Sequence, residues 1–390
     1  MPWGADNQMP YDIIDKVEAD ETMSTCMKFA VETFYSGGLE YQASENTAPD
    51  IVESAEEFCE DNNLPGYFMG VATDMKYFGF AVTVLILSKD RRRIVSIDRK
   101  EACYCRFTEA EGHAGIRHVC YYNWRDGAPY DESAIEVIPL LDESHPLRDL
   151  RERVESLSGG HKFAVVTRVP TVDSTYYPIP WYGSIFRSKW YDIKQLIAIA
   201  KESKLRNTAP IKYQIEISDR YWQDKFKELG LTDHAKRRKF VNEEKERIID
   251  FLTGAENSGK AIFSSYKTTP DGREIHDVVI KKVDTATQGG DWATDIQEAI
   301  NMVCFTMGVH SNLVGSVPGK GQSNNSGSDK RELYTIAQAT QKPYRDLLFA
   351  VHRMIIRYNG WRGIKPVCPL LQLTTLDEHR DIKVGYTSNQ

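Results

Sequence analysis

Gly254-Ala255-Glu256-Asn257-Ser258-Gly259-Lys260 carries its glycines and lysine at the spacing of a phosphate-cradling loop. Such a loop works when a strand leads in and a helix leads out, because the helix N-terminus then offers free N–H groups to the anion. Here the order is reversed, with the helical stretch NEEKERIIDFL before and the strand-like AIFSSY after. Ala261 also stands where a hydroxyl for magnesium is needed. The segment therefore reads as a glycine turn that ends a helix, and a nucleotide-binding enzyme using Gly254 to Lys260 is the rival reading. VPGKGQS around Lys320 resembles a nucleotide loop less well, since its glycine spacing is wrong and no strand precedes it. Cys103, Cys105, His113, His118 and Cys120 lie close enough in sequence to suggest zinc. Zinc modules use CxxC knuckles, whereas CxC on a strand sends both thiols to one face, which predicts sheet packing. There is no GxSxG elbow, HExxH pair or Asp-rich metal loop, and Glu243-Glu244 falls on a solvated helix face. No residue set claims catalysis, and neither cofactor nor metal is expected. Two basic runs, Arg91-Arg92-Arg93 and Lys236-Arg237-Arg238-Lys239, are solvated faces, subunit contacts or phosphate contacts.

The elements around these residues are plainer. The sharpest stretch runs from Gly289 to Trp361 as helix, glycine-rich loop and long helix. Trp292, Ile296, Ile300, Val303 and Met307 keep helical spacing, with Asp291 as N-cap. After Gly308 comes HSNLVGSVPGKGQSNNSGSD, too poor in apolar side chains to offset its ordering entropy, and so expected to be mobile. The helical period resumes to Tyr358, with Pro343 predicted to kink it. Upstream, residues 12–36 read as one amphipathic helix and 48–63 as another, closed by Pro65-Gly66. The end of MKYFGFAVTVLILSKD reads as a strand. RIVSIDR, CYCRF, HVCYYNW and AIEVIPL are short β runs separated by glycine turns, which predicts an antiparallel sheet. A short helix (146–158), the strand FAVVTRV, a strong helix (184–204), the strand IKYQIEIS and a helix (233–252) follow, with AIFSSY and HDVVIKKV as further strands. KPVCPLLQLTT offers the last strand character.

With 390 residues, 41% hydrophobic and 27% charged, the chain has the means for a large α+β core in two or three domains. A net charge of −7 argues against a broad basic face that grips nucleic acid. Seven scattered cysteines fit a reducing compartment better than a disulfide framework. No secretory leader is visible, and no apolar run reaches the ~18 residues that a membrane span needs.

In this order the elements resemble a bacteriophage portal protein. The likeness covers roughly residues 12 to 375 and is most specific in GVHSNLVGSVPGKGQSNNSGSDKRELYTIAQATQKPYRDLLFAVHRMI. A second match is YYPIPWYGSIFRSKWYDIKQLIAIAKESKLRN with IKYQIEIS. A third pairs MKYFGFAVTVLI with HVCYYNW. The resemblance implies a wing at residues 1–177, a stem helix at 178–206, a small α/β clip at 207–283 and a second stem helix at 284–308. It further implies a tunnel loop at 309–329, a long kinked helix at 330–358, and a wing strand and tail at 359–390, with a minimal crown or none. The function implied is a non-enzymatic ring, a dodecamer in the family, at one capsid vertex of the virion, assembled in the host cytoplasm. Its partners would be double-stranded DNA in the channel, the terminase large subunit, capsid protein and head-completion or adaptor proteins, with no membrane. Asn312, Ser316, Lys320, Gln322, Asn324, Asn325 and Lys330 would face the channel. Lys236, Arg237, Arg238 and Lys239 would dock motor and connector. Trp181, Tyr182 and Trp190, read as exposed, would be covered by neighbouring subunits. Another phage structural ring, such as an adaptor or tail component, is the nearest rival within this class.

Overall fold

The computed structural model describes residues 1–112, 115–128, 130–156, 160–172, 176–207, 213–253, 267–268, 274–282, 292–314 and 327–373. The chain forms two compact units, Met1–Ala198 with Asp291–Gln390, and Ile199–Gly290. Helices mix with small, mostly antiparallel sheets in an α+β fold.

In the first unit, α1 (Met9–Glu18) and α2 (Glu21–Tyr35) replace the single helix expected over 12–36. Asp20 is the reason. Its carboxylate accepts the N–H groups of Thr22 and Met23 at 3.0 and 2.9 Å, which starts a new helix. After β1 (Glu40–Ala43), α3 (Pro49–Asp61) leads to α4 (Leu64–Phe78), which the sequence reading missed. Leu64-Pro65-Gly66 opens that helix rather than closing the previous one. Proline needs no N–H partner in a first turn, and the left-handed Asn63 (φ 43°) accepts the Gly66 N–H.

The strands β2 (Phe80–Leu87), β3 (Ile94–Lys100), β4 (Cys105–Phe107), β5 (His118–Tyr121) and β6 (Glu136–Pro139) follow, then α5 (Pro146–Glu155) and β7 (Lys162–Arg168). The one sheet expected here is two. β2 lies between β3 and β7, and β5 lies between β4 and β6, all antiparallel. β2 is apolar along nearly its whole length because both of its faces are covered. Ala81, Leu85 and Leu87 enter one core cluster and Phe80, Val82 and Val84 the other, following the two-residue alternation of a strand. Cys103 sits in a short 3-10 turn (Ala102–Tyr104) and not on a strand, so it does not share a strand face with Cys105.

The helix expected over 184–204 is broken into α6 (Ser184–Arg187) and α7 (Trp190–Asn207) at Lys189, whose φ of 70° cannot continue a helix. Tyr182 is fully buried, with its hydroxyl donated to the Tyr77 carbonyl at 2.7 Å. It is therefore core and not exposed surface.

In the second unit, β8 (Tyr213–Ile217) pairs with β11 (Val278–Lys282), and the two-residue strands β9 (Lys267–Thr268) and β10 (Glu274–Ile275) pair with each other. Between β8 and β9 lie α8 (Asp219–Glu228), not foreseen, and α9 (His234–Thr253). The chain then returns to the first unit through α10 (Trp292–Thr306).

The long kinked helix is in fact two, α11 (Gly327–Ala339) and α12 (Lys342–Tyr358). Pro343 lies in the first turn of α12, where it is tolerated, so it marks a new start and not a bend. β12 (Ile364–Val367) closes the fold by pairing antiparallel with β1. Among the described residues no helix is long and apolar enough to cross a membrane.

Candidate functional site

In the chain the glycine-rich stretch falls between α10 and α11, and the described residues on either side are built by local chemistry. Gly308 (φ +64°) ends α10 in a Schellman turn: the Val309 N–H donates to the Cys304 carbonyl at 3.0 Å and the Gly308 N–H to Phe305 at 3.1 Å. Val309 is buried beyond the turn, which pins the exit direction. His310 then accepts the Asn312 N–H at 3.3 Å, and Ser311–Leu313 forms one 3-10 turn. Residues 315–326 lie outside the described residues, among them Ser316, Lys320, Gln322, Asn324 and Asn325. Of the candidate channel residues the structure places Asn312, half-buried in that turn, and Lys330, exposed in the first turns of α11. The interval between helices is shorter than expected, because α11 already starts at Gly327.

Both ends are fastened to α2. Ile300, Val303 and Cys304 of α10, with Met307 just past its end, join the core cluster that contains Met23, Cys26 and Met27 of α2. The Cys26 and Cys304 thiols meet at 3.8 Å, and the contact together with burial pushes the Cys26 thiol far up. On α11, the buried Gln338 accepts from the Ser36 hydroxyl at 2.9 Å and donates to the Leu371 carbonyl at 2.7 Å. On α12, buried Arg345 donates to the carbonyls of Phe34 (2.9 Å) and Thr33 (2.6 Å). A guanidinium here satisfies the orphan carbonyls that end α2 and meets the negative end of its dipole.

The break between α11 and α12 has its own anchor. Lys76 of α4 bonds the Gln341 side chain and lies 4.3 Å from the Tyr344 ring centroid, 5.2 Å from Phe34 and 5.3 Å from Trp181. Burial pushes its ammonium down to about 7, with Arg345 adding to the shift, and the three ring faces work the other way by stabilising the cation. At the other end of α2, the Asp20 carboxylate that caps it also holds the Lys194 ammonium of α7 at 2.8 Å, deep in the protein.

In the second unit the basic run splits in role. Arg237 is spent locally, donating to the Leu231 carbonyl at 2.7 Å and lying 5.1 Å from the Phe226 ring centroid. Lys236, Arg238 and Lys239 are exposed, with Lys239 weakly paired to Glu243 at 3.8 Å. Cations in the opening turns of a helix oppose its dipole, so α9 carries them at a small cost. Arg91 to Arg93 lie in the turn between β2 and β3 of the first unit. Gly254 to Lys260 and His113 lie outside the described residues. All seven cysteines are free thiols, and among the described residues no group of three or more His, Cys, Asp or Glu could hold a metal.

No protein-family model and no curated protein matches the chain. Solved structures do. The neck of an empty GTA particle, computed with C6 symmetry, matches with a TM-score of 0.60 at 11% identity, over 91% of this chain and 83% of that one. The chain has the fold of a gene transfer agent neck component. The neck of a native GTA particle computed with C12 symmetry gives 0.59 at 11% identity, and the virion of a native gene transfer agent particle gives 0.55 at 8%, with the same coverages. At such identities the likeness is one of fold, and it spans both units. The sequence resemblance pointed to the head–tail junction of a phage, and the solved neighbours come from the neck and virion of GTA particles.

Sequence reasoning missed Asp20, Lys76, Lys194, Gln338 and Arg345. Each is a polar residue in a helical stretch whose partner lies far off in sequence, so the only available signal was a polar side chain on an otherwise apolar face.

Proposed function

We propose that the chain is a portal subunit. It is a non-enzymatic building block of a ring at one capsid vertex of a phage-like virion, through which double-stranded DNA enters and leaves. The observation that carries this reading is the fold shared over 91% of the chain with neck components solved in C6- and C12-symmetric reconstructions. The sequence between α10 and α11 supports it, since both flanking helices are fixed on α2 and the stretch is rich in Gly, Ser and Asn with one lysine, Lys320. Polar, weakly charged loops suit a channel for a polyanion that must slide, because contacts to phosphates carry affinity without sequence readout. In this reading Asn312, Lys320 and Lys330 line the channel. The second unit is the clip, offering Lys236, Arg238 and Lys239 to the packaging motor and later to head-completion proteins. A separate ATPase drives packaging.

The test is the mass and symmetry of the purified protein by negative-stain imaging and mass photometry, with and without assembly at high concentration. Rings of about twelve copies around a central hole are expected. A strictly monomeric protein under all conditions would overturn the reading. A ring that binds the tail side but never the motor would favour an adaptor. Deleting residues 319–326 is expected to leave rings intact while reducing packaged DNA, and loss of ring assembly would refute the channel role of the loop.

A further inference from the structure

Two surfaces of the first unit carry charge that the described residues leave unneutralised. The first is α3. Its exposed face holds Asp50, Glu53, Glu56, Glu57, Glu60 and Asp61, the helix contains no basic residue, and none of the six is in an ion pair among the described residues. Glu53, Glu56, Glu57 and Glu60 follow i, i+3, i+4, i+7 spacing, so they form one stripe along the helix. Like charges at these spacings weaken an isolated helix. Their field also reaches Cys59, whose thiol is pushed up to about 12 by burial, Glu56 and Glu60.

The second is a groove of about 880 Å³ walled by α5, α12 and β12. Arg148 and Arg151 rise from α5, Arg353 and Arg357 from α12, and Lys365 from β12, all exposed. Among the described residues only two carboxylates line the groove with them, Glu152 and Glu155, and Glu152 is taken by Arg148 at 2.8 Å. Among the described residues Arg151, Arg353, Arg357 and Lys365 have no ion pair. The floor is apolar, with Leu147 and the buried Met354.

The two surfaces share a pitch. Arg353 and Arg357 stand one helical turn apart, as do Arg148 and Arg151, and the acids on α3 repeat at the same ~5.4 Å. The β1–β12 ribbon lies between them in one subunit, since α3 packs on β1 and the groove includes β12. Mutual neutralisation therefore needs another molecule. A head-to-tail contact between identical subunits uses two different faces, and repeated around a closed ring it satisfies both.

We infer that the acidic face of α3 on one subunit docks in the basic groove between α5 and α12 of the next copy of the chain. This rests on the ring reading above. A rim of cations repeating at helical pitch fits a stripe of carboxylates repeating at the same pitch, and this charge complementarity carries the match, since the apolar residues of α3, Ala55 and Phe58, are already buried in its own subunit.

The test is charge reversal, read by mass photometry of the full-length chain, with circular dichroism to confirm that each subunit folds. Arg353→Glu with Arg357→Glu, and separately Glu56→Arg with Glu60→Arg, are each expected to raise the concentration needed for assembly about tenfold or more. The variant carrying all four reversals is expected to recover assembly. Raising salt from 150 to 500 mM is expected to weaken wild-type rings and to matter less for an apolar contact. If wild type forms rings and the groove variant assembles equally well, the docking is wrong and the ring reading stands. Failure of the fourfold variant to recover assigns the groove another acidic occupant, capsid protein included, and overturns the role of α3. Wild type that never assembles overturns both.

Discussion

Asp20 holds two jobs that a single substitution can separate. Its carboxylate caps α2 through Thr22 and Met23, and it neutralises Lys194, whose side chain is 3% exposed against 0% for Asp20 itself. Asp20→Asn keeps an oxygen able to cap but removes the charge, leaving a buried ammonium with a weaker partner. Breaking a buried pair from one side costs about 3–5 kcal/mol. The value belongs at the low end, about 3 kcal/mol, because Glu21 also reaches the Lys194 ammonium at 2.8 Å from a largely exposed position. Asp20→Ala removes the cap as well, adding about 1 kcal/mol. Adding Lys194→Met to Asp20→Asn removes the stranded charge and is expected to recover most of the loss. The assay is urea unfolding of the unassembled subunit followed by tryptophan fluorescence, since Trp3 is buried in the same core cluster as Met23 and Cys26. With a slope of about 3 kcal/mol per molar, Asp20→Asn lowers the midpoint by about 1 M. A midpoint within about 0.2 M of wild type, or a double variant no more stable than Asp20→Asn, refutes the reasoning.

Three further outcomes follow from the same geometry. Complete burial pushes the His352 imidazole down to about 3, so the unfolded chain binds its proton first as pH falls below the ordinary value of 6.5. Stability from this group is full above 6.5 and is lost toward 3, about 2 kcal/mol of it by pH 5. His352→Gln, which retains a partner for the Tyr41 hydroxyl at 2.9 Å, is expected to flatten that loss in urea midpoints measured at pH 7 and 5. Gly308→Ala costs about 1 kcal/mol from its positive φ alone, since an added Cβ meets nothing within 4 Å. A larger loss in a thermal melt would mean that the turn is packed more tightly than described. Arg345→Met strands the Phe34 and Thr33 carbonyls and is expected to cost about 2–3 kcal/mol. Faster hydrogen exchange should be confined to the last turn of α2 and the start of α12, and exchange spread evenly over the unit would count against a capping role.

What was legible in the sequence was whatever a local pattern fixes. β2 announced itself as an apolar run because both of its faces are buried. The end of α10 was written in Gly308, where only a residue without Cβ takes the left-handed turn cheaply. What failed were starts that look like continuations. Asp20 falls in register between the apolar positions of α1 and α2, and only its side-chain bonds show that one helix has ended and another begun. Pro65 was read as a terminator and Pro343 as a kink, although each occupies a first turn where its missing N–H is not needed. Tyr182 looked like an exposed aromatic because its proline-rich surroundings carry no periodicity that would mark a core position. The order of elements that carried the resemblance survives these errors, because order does not depend on where each helix starts.

The anchors that escaped notice say why this core is not simply apolar. Cys304, Gln338 and Arg345 fix α10, α11 and α12 to one helix, and two of the three do so by directional bonds to buried groups. An apolar seam tolerates a slip of one turn, since leucine or methionine packs nearly as well in the next groove. A slip here would strand a guanidinium and two carbonyls inside the protein, each loss costing about 1–3 kcal/mol. The register of α11 and α12 on α2 is therefore specified more sharply than burial alone would require. In the proposed ring that sharpness has a use. Every copy must present its segment after α10 at the same height for the channel to be round, and a one-turn slip of about 5.4 Å in a single subunit would break it.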